Sequence, residues 1–144
     1  MRVVIVEDSR LARLELCEQL SQLPNVTLVG QADTVESATA LINEVQPDLI
    51  LLDIDLPGGT GFDLLEQLEV LPKVVFTTAF DEFAVRSFEV DALDYLLKPI
   101  TLPRLTKALA KAEAQLAAQE AVTTESRLHG DSQLFLKEGE QCWL

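Results

Sequence analysis

Cysteine is nearly absent. Two occur in 144 residues, Cys17 and Cys142, far apart and with no CxxC pair. That excludes a disulfide framework and a cysteine-ligated metal centre, and it fits a reducing compartment. The single histidine, His129, has no cluster around it and reads as a solvated residue of a polar stretch. Basic residues are also scarce: 11 Lys and Arg stand against 24 Asp and Glu, a formal charge of −13. Such a balance repels nucleic acid and anionic membrane, so this chain is not itself a DNA-contacting segment. Long apolar runs are missing as well. MRVVIVED reaches charge after a short apolar stretch, and nothing approaches the roughly 20 residues that span a membrane. The expectation is a cytoplasmic protein with no membrane contact and no targeting segment.

What the chain does have is 48% apolar residues in a length that suits one hydrophobic core. Five continuous apolar runs of strand length alternate with longer segments: VVIV (3–6), VTLVGQA (26–32), LILLDI (49–54), VVFTT (74–78) and DYLL (94–97). Strands apolar on both faces and separated by helix-length segments indicate a parallel sheet covered on both sides, an open α/β fold. The intervening segments agree. Leu16, Leu20 and Leu23 share a helical face, as do Leu105, Ala108, Leu109, Ala112 and Leu116. Thr34 caps a helix carrying Ala38, Leu41, Ile42 and Val45 that Pro47 closes, and Thr101 caps one with Pro103 in its first turn.

Chemistry gathers where the strands end, because the carboxyl edge of a doubly wound sheet forms its ligand crevice. The first strand ends in Glu7-Asp8, the third in Asp53 with Asp55 just beyond, the fourth in Thr77-Thr78 and the fifth in Lys98. Carboxylates brought that close raise one another's pKa unless a cation sits among them. A hard divalent ion with oxygen ligands is the expected occupant, Mg²⁺ being the usual choice beside phosphates. Lys98 raises its own question. In DYLLKPI, proline stops the ladder immediately after a lysine that terminates an apolar strand.

VVIVEDS, LILLDIDLP, VVFTTAF and DYLLKPI resemble, in order and spacing, the motifs of the receiver domain of bacterial two-component response regulators. The resemblance covers residues 1–118 and implies a five-stranded doubly wound parallel sheet, the flavodoxin-like (βα)5 receiver fold. It implies that Asp53 accepts a phosphoryl group from a phosphohistidine of a sensor histidine kinase. Asp8 and Asp53 would ligate Mg²⁺, Glu7 would act mainly through water, and the backbone carbonyl of Asp55 would complete the protein ligands. Thr78 would hydrogen-bond the phosphoryl oxygens and Lys98 would pair with them, so the lysine awaits an anion that arrives later. In this family the Lys-Pro bond is commonly cis. Tyr95 matches an aromatic switch that turns inward as Thr78 moves, although a half-buried strand aromatic fits it too. The face that changes would be the fourth helix, fifth strand and fifth helix, around FDEFAVRSFEVDALDYL, through which homodimers can form.

That segment is similar to receivers attached to LytTR-type DNA-binding domains, of the LytR and AlgR kind. AKAEAQLAAQEA (110–121) reads as an alanine-rich helix running beyond the domain body, and in the linker at 119–133 the stretch TTESRLHGDSQ (123–133) reads as polar and flexible. LFLKEGEQCWL (134–144) resembles the first hairpin of a LytTR domain. The expectation is a regulator broken off at the start of its DNA-binding domain, with DNA contacted only through the missing part. No turnover of an external substrate is expected. Two other readings stand beside this one. DIDLP also fits the DxD signature of haloacid-dehalogenase-type Mg²⁺ phosphatases, with Asp55 as acid/base, although there the nucleophile usually lies on the first strand. A pseudo-receiver that docks without being phosphorylated would have lost the acceptor, an acidic residue or the lysine, and none is missing.

Overall fold

The computed structural model of the chain describes residues 1–79 and 92–130, with side chains through residue 119. Two compact units divide it, Met1–Leu109 and the part from Ala110 onward. In the first unit, β1 (Arg2–Val6), α1 (Arg10–Ser21), β2 (Thr27–Ala32), α2 (Val35–Val45) and β3 (Leu49–Asp53) follow one another. A two-stranded hairpin, β4 (Asp55–Leu56) and β5 (Gly59–Thr60), leads into α3 (Gly61–Glu66), β6 (Lys73–Thr78) and β7 (Asp94–Leu97). The last helix, α4 (Leu102–Gly130), begins in the first unit.

The five longer strands form one sheet in the order β2-β1-β3-β6-β7, every pair parallel. Each matches an apolar run of the sequence to within a residue, because strands covered on both faces need apolar side chains at consecutive positions. One face packs Val4, Val6, Ile50, Leu52, Val74 and Phe76 against Val35, Ala38 and Ile42 of α2 and Leu64 of α3. Alternation leaves Val3, Ile5, Leu49, Leu51, Val75 and Leu96 to the opposite face. All six are buried, as are Leu16 and Leu20 of α1 and Leu105, Ala108 and Leu109 of α4.

Local chemistry sets the ends of the helices. Ser9 Oγ accepts from Ala12 N (3.3 Å) at the start of α1. Thr34 and Ser37 cap α2 reciprocally, Ser37 N donating to Thr34 Oγ1 (3.0 Å) and Thr34 N to Ser37 Oγ (3.3 Å). Arg104 N donates to Thr101 Oγ1 (3.4 Å), as the sequence led one to expect of a cap at Thr101. At its C-terminal end α2 closes with Gln46 in the left-handed region (φ 46°), its N–H bonded to Ile42 O, immediately before Pro47. Leu23 departs from expectation. It lies past the end of α1, where its N–H turns back to Leu20 O (3.0 Å) as Pro24 forbids another turn.

Residues 123–130, where the polar composition suggests flexibility, continue α4 as helix. No proline or glycine interrupts the chain between Pro103 and Gly130, and alanine with long straight side chains favours the helix as far as Ala121. Two further expectations, the fourth helix and the hairpin at 134–144, fall outside the described residues. Among the described residues no helix is long and apolar enough to cross a membrane.

Candidate functional site

β1 lies between β2 and β3, so the chain winds outward in both directions from that point and opens a crevice beyond the strand ends. Glu7 extends β1 by one rung, its N–H donating to Ala32 O (3.0 Å), and Lys98 extends β7 in the same way toward Thr78 O (2.7 Å). These rungs hold the backbones of an acid and a cation in the frame of the sheet. The Lys98-Pro99 bond is cis.

Glu7, Asp8 and Asp53 bring carboxylate oxygens within 4.8 Å of one another. Glu7 and Asp53 are buried, whereas Asp8 is exposed and gives the group its contact with solvent. Lys98 Nζ lies 2.8 Å from Glu7 Oε1 and 3.2 Å from Asp53 Oδ2. Ser9 N donates to Glu7 Oε2 (3.0 Å). Glu7 therefore holds its charge: burial pushes its pKa up, but the bonds from Lys98 and Ser9 outweigh that and bring it below the usual range. Asp53 takes the opposite course. Burial and the neighbouring Glu7 raise it to about 7 against the pull of Lys98. Burial works against the lysine's charge, yet its two carboxylate partners raise its pKa overall. One ammonium does not neutralise three clustered carboxylates, and oxygen-only donors of this kind suit a hard divalent cation.

Of the other residues expected at the site, Thr78 is buried at the end of β6 (1% exposed). Asp55 is exposed, and its carboxylate is not in the cluster. The expectation for Asp55 concerned its backbone carbonyl. Gly61 N donates to Ile54 O (2.7 Å), which makes Asp55 and Thr60 a non-hydrogen-bonded pair of the β4-β5 hairpin. The hairpin ladder thus leaves the Asp55 carbonyl outward. Tyr95 is 8% exposed, more buried than expected, and stacks on Phe76 at 5.6 Å with 14° between ring planes.

Three contributors escaped the sequence reading. Arg13 Nη1 donates to the Glu7 carbonyl (2.8 Å) and so ties α1 to the loop that carries the acidic pair. Arg104 clamps Asp94 with two bonds (3.0 and 2.8 Å) and reaches Tyr95 O (3.3 Å). Gly61 passes so near β3 that a Cβ there would meet Asp53 O at 2.7 Å. Only the glycines of LPGGTG hinted at this close approach. Beside the lysine, a cleft of about 310 Å³ opens between α1 and residues 98–100, lined by Glu7, Ala12, Leu16, Gln19, Lys98 and Ile100.

Residues 3–110 match the model of the response regulator receiver domain. The sensory transduction protein LytT of Bacillus subtilis is 40% identical, over 97% of this chain and 59% of its own length. LytT of Enterococcus faecalis is 37% identical, over the whole of this chain and 64% of its own. The chain thus spans roughly three fifths of these curated relatives. Among solved structures, the response regulatory domain of mrkE from Klebsiella pneumoniae superimposes with a TM-score of 0.70 at 35% identity, covering 80% of this chain and 97% of that one. The receiver domain of the putative response regulator NarL from Mycobacterium tuberculosis gives 0.69 at 33%, covering 78% and 95%. These likenesses favour neither the phosphatase nor the non-phosphorylated docking module. A parallel sheet wound from β1, an acidic cluster at its carboxyl edge and a lysine closing over it agree with that match, and the chain belongs to the response regulator receiver domain family, a signalling module related to LytT.

Proposed function

We propose that Asp53 is the phospho-acceptor of this receiver, loaded from a phosphohistidine of a sensor histidine kinase with Mg²⁺ as the ion. The observation that carries the assignment is the buried Asp53 carboxylate, 3.2 Å from Lys98 Nζ and in one cluster with Glu7 and Asp8. Asp8, Asp53 and the Asp55 carbonyl would hold the cation, with Glu7 acting mainly through water, and the ion when bound would offset negative charge on the carboxylates and the incoming phosphoryl oxygens.

An Asp53 oxygen attacks phosphorus, the O–P bond forms, the N–P bond of the donor breaks, and its electron pair stays with the leaving imidazole. Lys98 pairs with the new phosphoryl oxygens and the Thr78 hydroxyl donates to them. The added charge, about −2, pulls Thr78 and biases Tyr95 and its neighbours. The output face comprises β7, the start of α4 and the fourth helix expected within 80–91, and a homodimer forms through it. No external substrate is turned over.

In the whole protein the receiver occupies residues 1–118, followed by a linker at 119–133. A LytTR-type DNA-binding domain begins at 134 and makes all contact with DNA, in the cytoplasm. The LytT likeness and its partial coverage support this organisation.

The test is intact-protein mass after incubation with acetyl phosphate, with and without Mg²⁺, beside Asp53→Asn. One added phosphoryl group that needs both Mg²⁺ and Asp53 is the expected result. Loading that persists in the variant would remove Asp53 from the role. Steady release of phosphate from many phosphoesters would favour an enzyme instead.

A further inference from the structure

Thr77 carries a second hydroxyl at the end of β6, and the function proposed above gives it no task. Its side chain is fully buried (0% exposed), and among the described residues Oγ1 has no hydrogen-bond partner. Valine would fill nearly the same volume without burying an unpaired hydroxyl, an arrangement that is unfavourable wherever it serves nothing.

Position supplies the reason. Thr77 is in register with Asp53 on one side and with Leu96 on the other. In a parallel pair, residues in register share a face, so Thr77 stands beside the acceptor and on its face of the sheet. The β1-β3 register, Val6 opposite Leu52, carries Glu7 into the same row. Lys98 starts beyond the end of β7, yet its Nζ lies 2.8 Å from Glu7 Oε1, on the far side of both β6 and β3. To reach Glu7, its stem crosses the end of β6 on the face where Thr77 lies.

Resting on that phosphoryl-acceptor site, we infer that Thr77 is a positioning residue that receives the Lys98 ammonium once a divalent cation occupies the carboxylates. A divalent ion repels the ammonium and competes with it for the oxygens clustered within 4.8 Å. Glu7 and Asp53 turn toward the cation. The ammonium has three N–H donors and no acceptor, so it requires new partners. It withdraws along the path of its own stem, back across β6, where Thr77 is the buried polar side chain that this strand, as far as it is described, offers on that face. Oγ1 accepts one N–H there and leaves the other donors directed at the place where phosphoryl oxygens arrive. A hydroxyl unpaired without the cation and paired with it favours the loaded arrangement.

The experiment is calorimetric titration of the whole chain with Mg²⁺ for wild type, Thr77→Val and Thr77→Ser, each also in a Lys98→Met background. Melting temperatures are measured in chelator alongside. Thr77→Val is expected to bind Mg²⁺ on the order of tenfold more weakly, the scale of one hydrogen bond to a charged group, while melting higher than wild type without the ion. Thr77→Ser restores the affinity. With Lys98→Met in place, Thr77→Val changes nothing further. Unchanged affinity in Thr77→Val, an equal loss with and without Lys98, or a lower melting temperature in chelator would each overturn the inference. A wild type that binds no Mg²⁺ would instead overturn the acceptor-site reading on which it rests.

Discussion

Two buried carboxylates share one lysine at this site, and they divide the charge unequally. Glu7 keeps its charge because Lys98 and Ser9 both serve it, at 2.8 and 3.0 Å. Asp53 is left with the longer, 3.2 Å contact and is pushed up to about 7. The consequence for stability has a definite sign. An acid whose folded pKa lies above its unfolded value binds more protons folded than unfolded, so its contribution is full below about pH 4 and is lost as pH rises toward 7. Asp53→Asn cannot ionise. In chelator the variant should match wild type near pH 4 and exceed it by at least about 1 kcal/mol at pH 7.5, since one pKa unit corresponds to about 1.4 kcal/mol. Urea unfolding at the two pH values reads the difference, and equal stabilities at pH 7.5 would contradict the strained pair. At this scale the sequence disclosed which residues meet, because each stands at a strand end. It could not disclose which carboxylate wins the lysine, since that turns on tenths of an ångström.

Between residue and fold stands the short hairpin that follows the acceptor. β4 and β5 turn through Gly58 and Gly59, both at positive φ (91° and 152°), and return the chain to start α3 at Gly61 against the Asp53 carbonyl. Gly61 itself has ordinary φ, so its requirement is space rather than conformation. Gly61→Ala puts a methyl 2.7 Å from that oxygen and 3.0 Å from Leu52 Cγ, and backbone does not yield as a side-chain tip would. The expected loss is about 1–3 kcal/mol, read by thermal unfolding, together with slower loading from acetyl phosphate as the acceptor shifts. Unaltered stability and loading would show that the hairpin has slack. A two-residue strand has no periodicity to detect, which is why this element escaped the sequence reading while the five-residue apolar runs around it did not. The helical stretch 123–130 escaped for a different reason. TTESRLHG is polar and low in helix propensity, which points to a loop, yet α4 runs on through it with no proline to stop it.

For the molecule as a whole, charge and topology act together. A formal −13 weakens the compact state by self-repulsion, and the sheet concentrates three of those charges at one edge. A divalent cation bound there should stabilise the fold out of proportion to its ionic strength. At Mg²⁺ about tenfold above its Kd the gain is about 1.4 kcal/mol, a rise in melting temperature of about 3–8 °C for a domain of this size. Sodium chloride of matched ionic strength should give much less, and Asp53→Asn should lose most of the magnesium-specific part. An equal response to both salts would mean general screening rather than a site. Sequence by itself determined the α/β class, the five sheet strands and the residue types at their ends, because strand length, apolar continuity and proline stops are local properties of the chain. Tertiary structure alone decided the order β2-β1-β3-β6-β7, the reach of Lys98 across β6 and β3 to Glu7, and the placing of the buried Thr77 hydroxyl beside the acceptor. Each of these joins segments distant in the chain, and the energy of such contacts depends on distances that exist only after the core has closed.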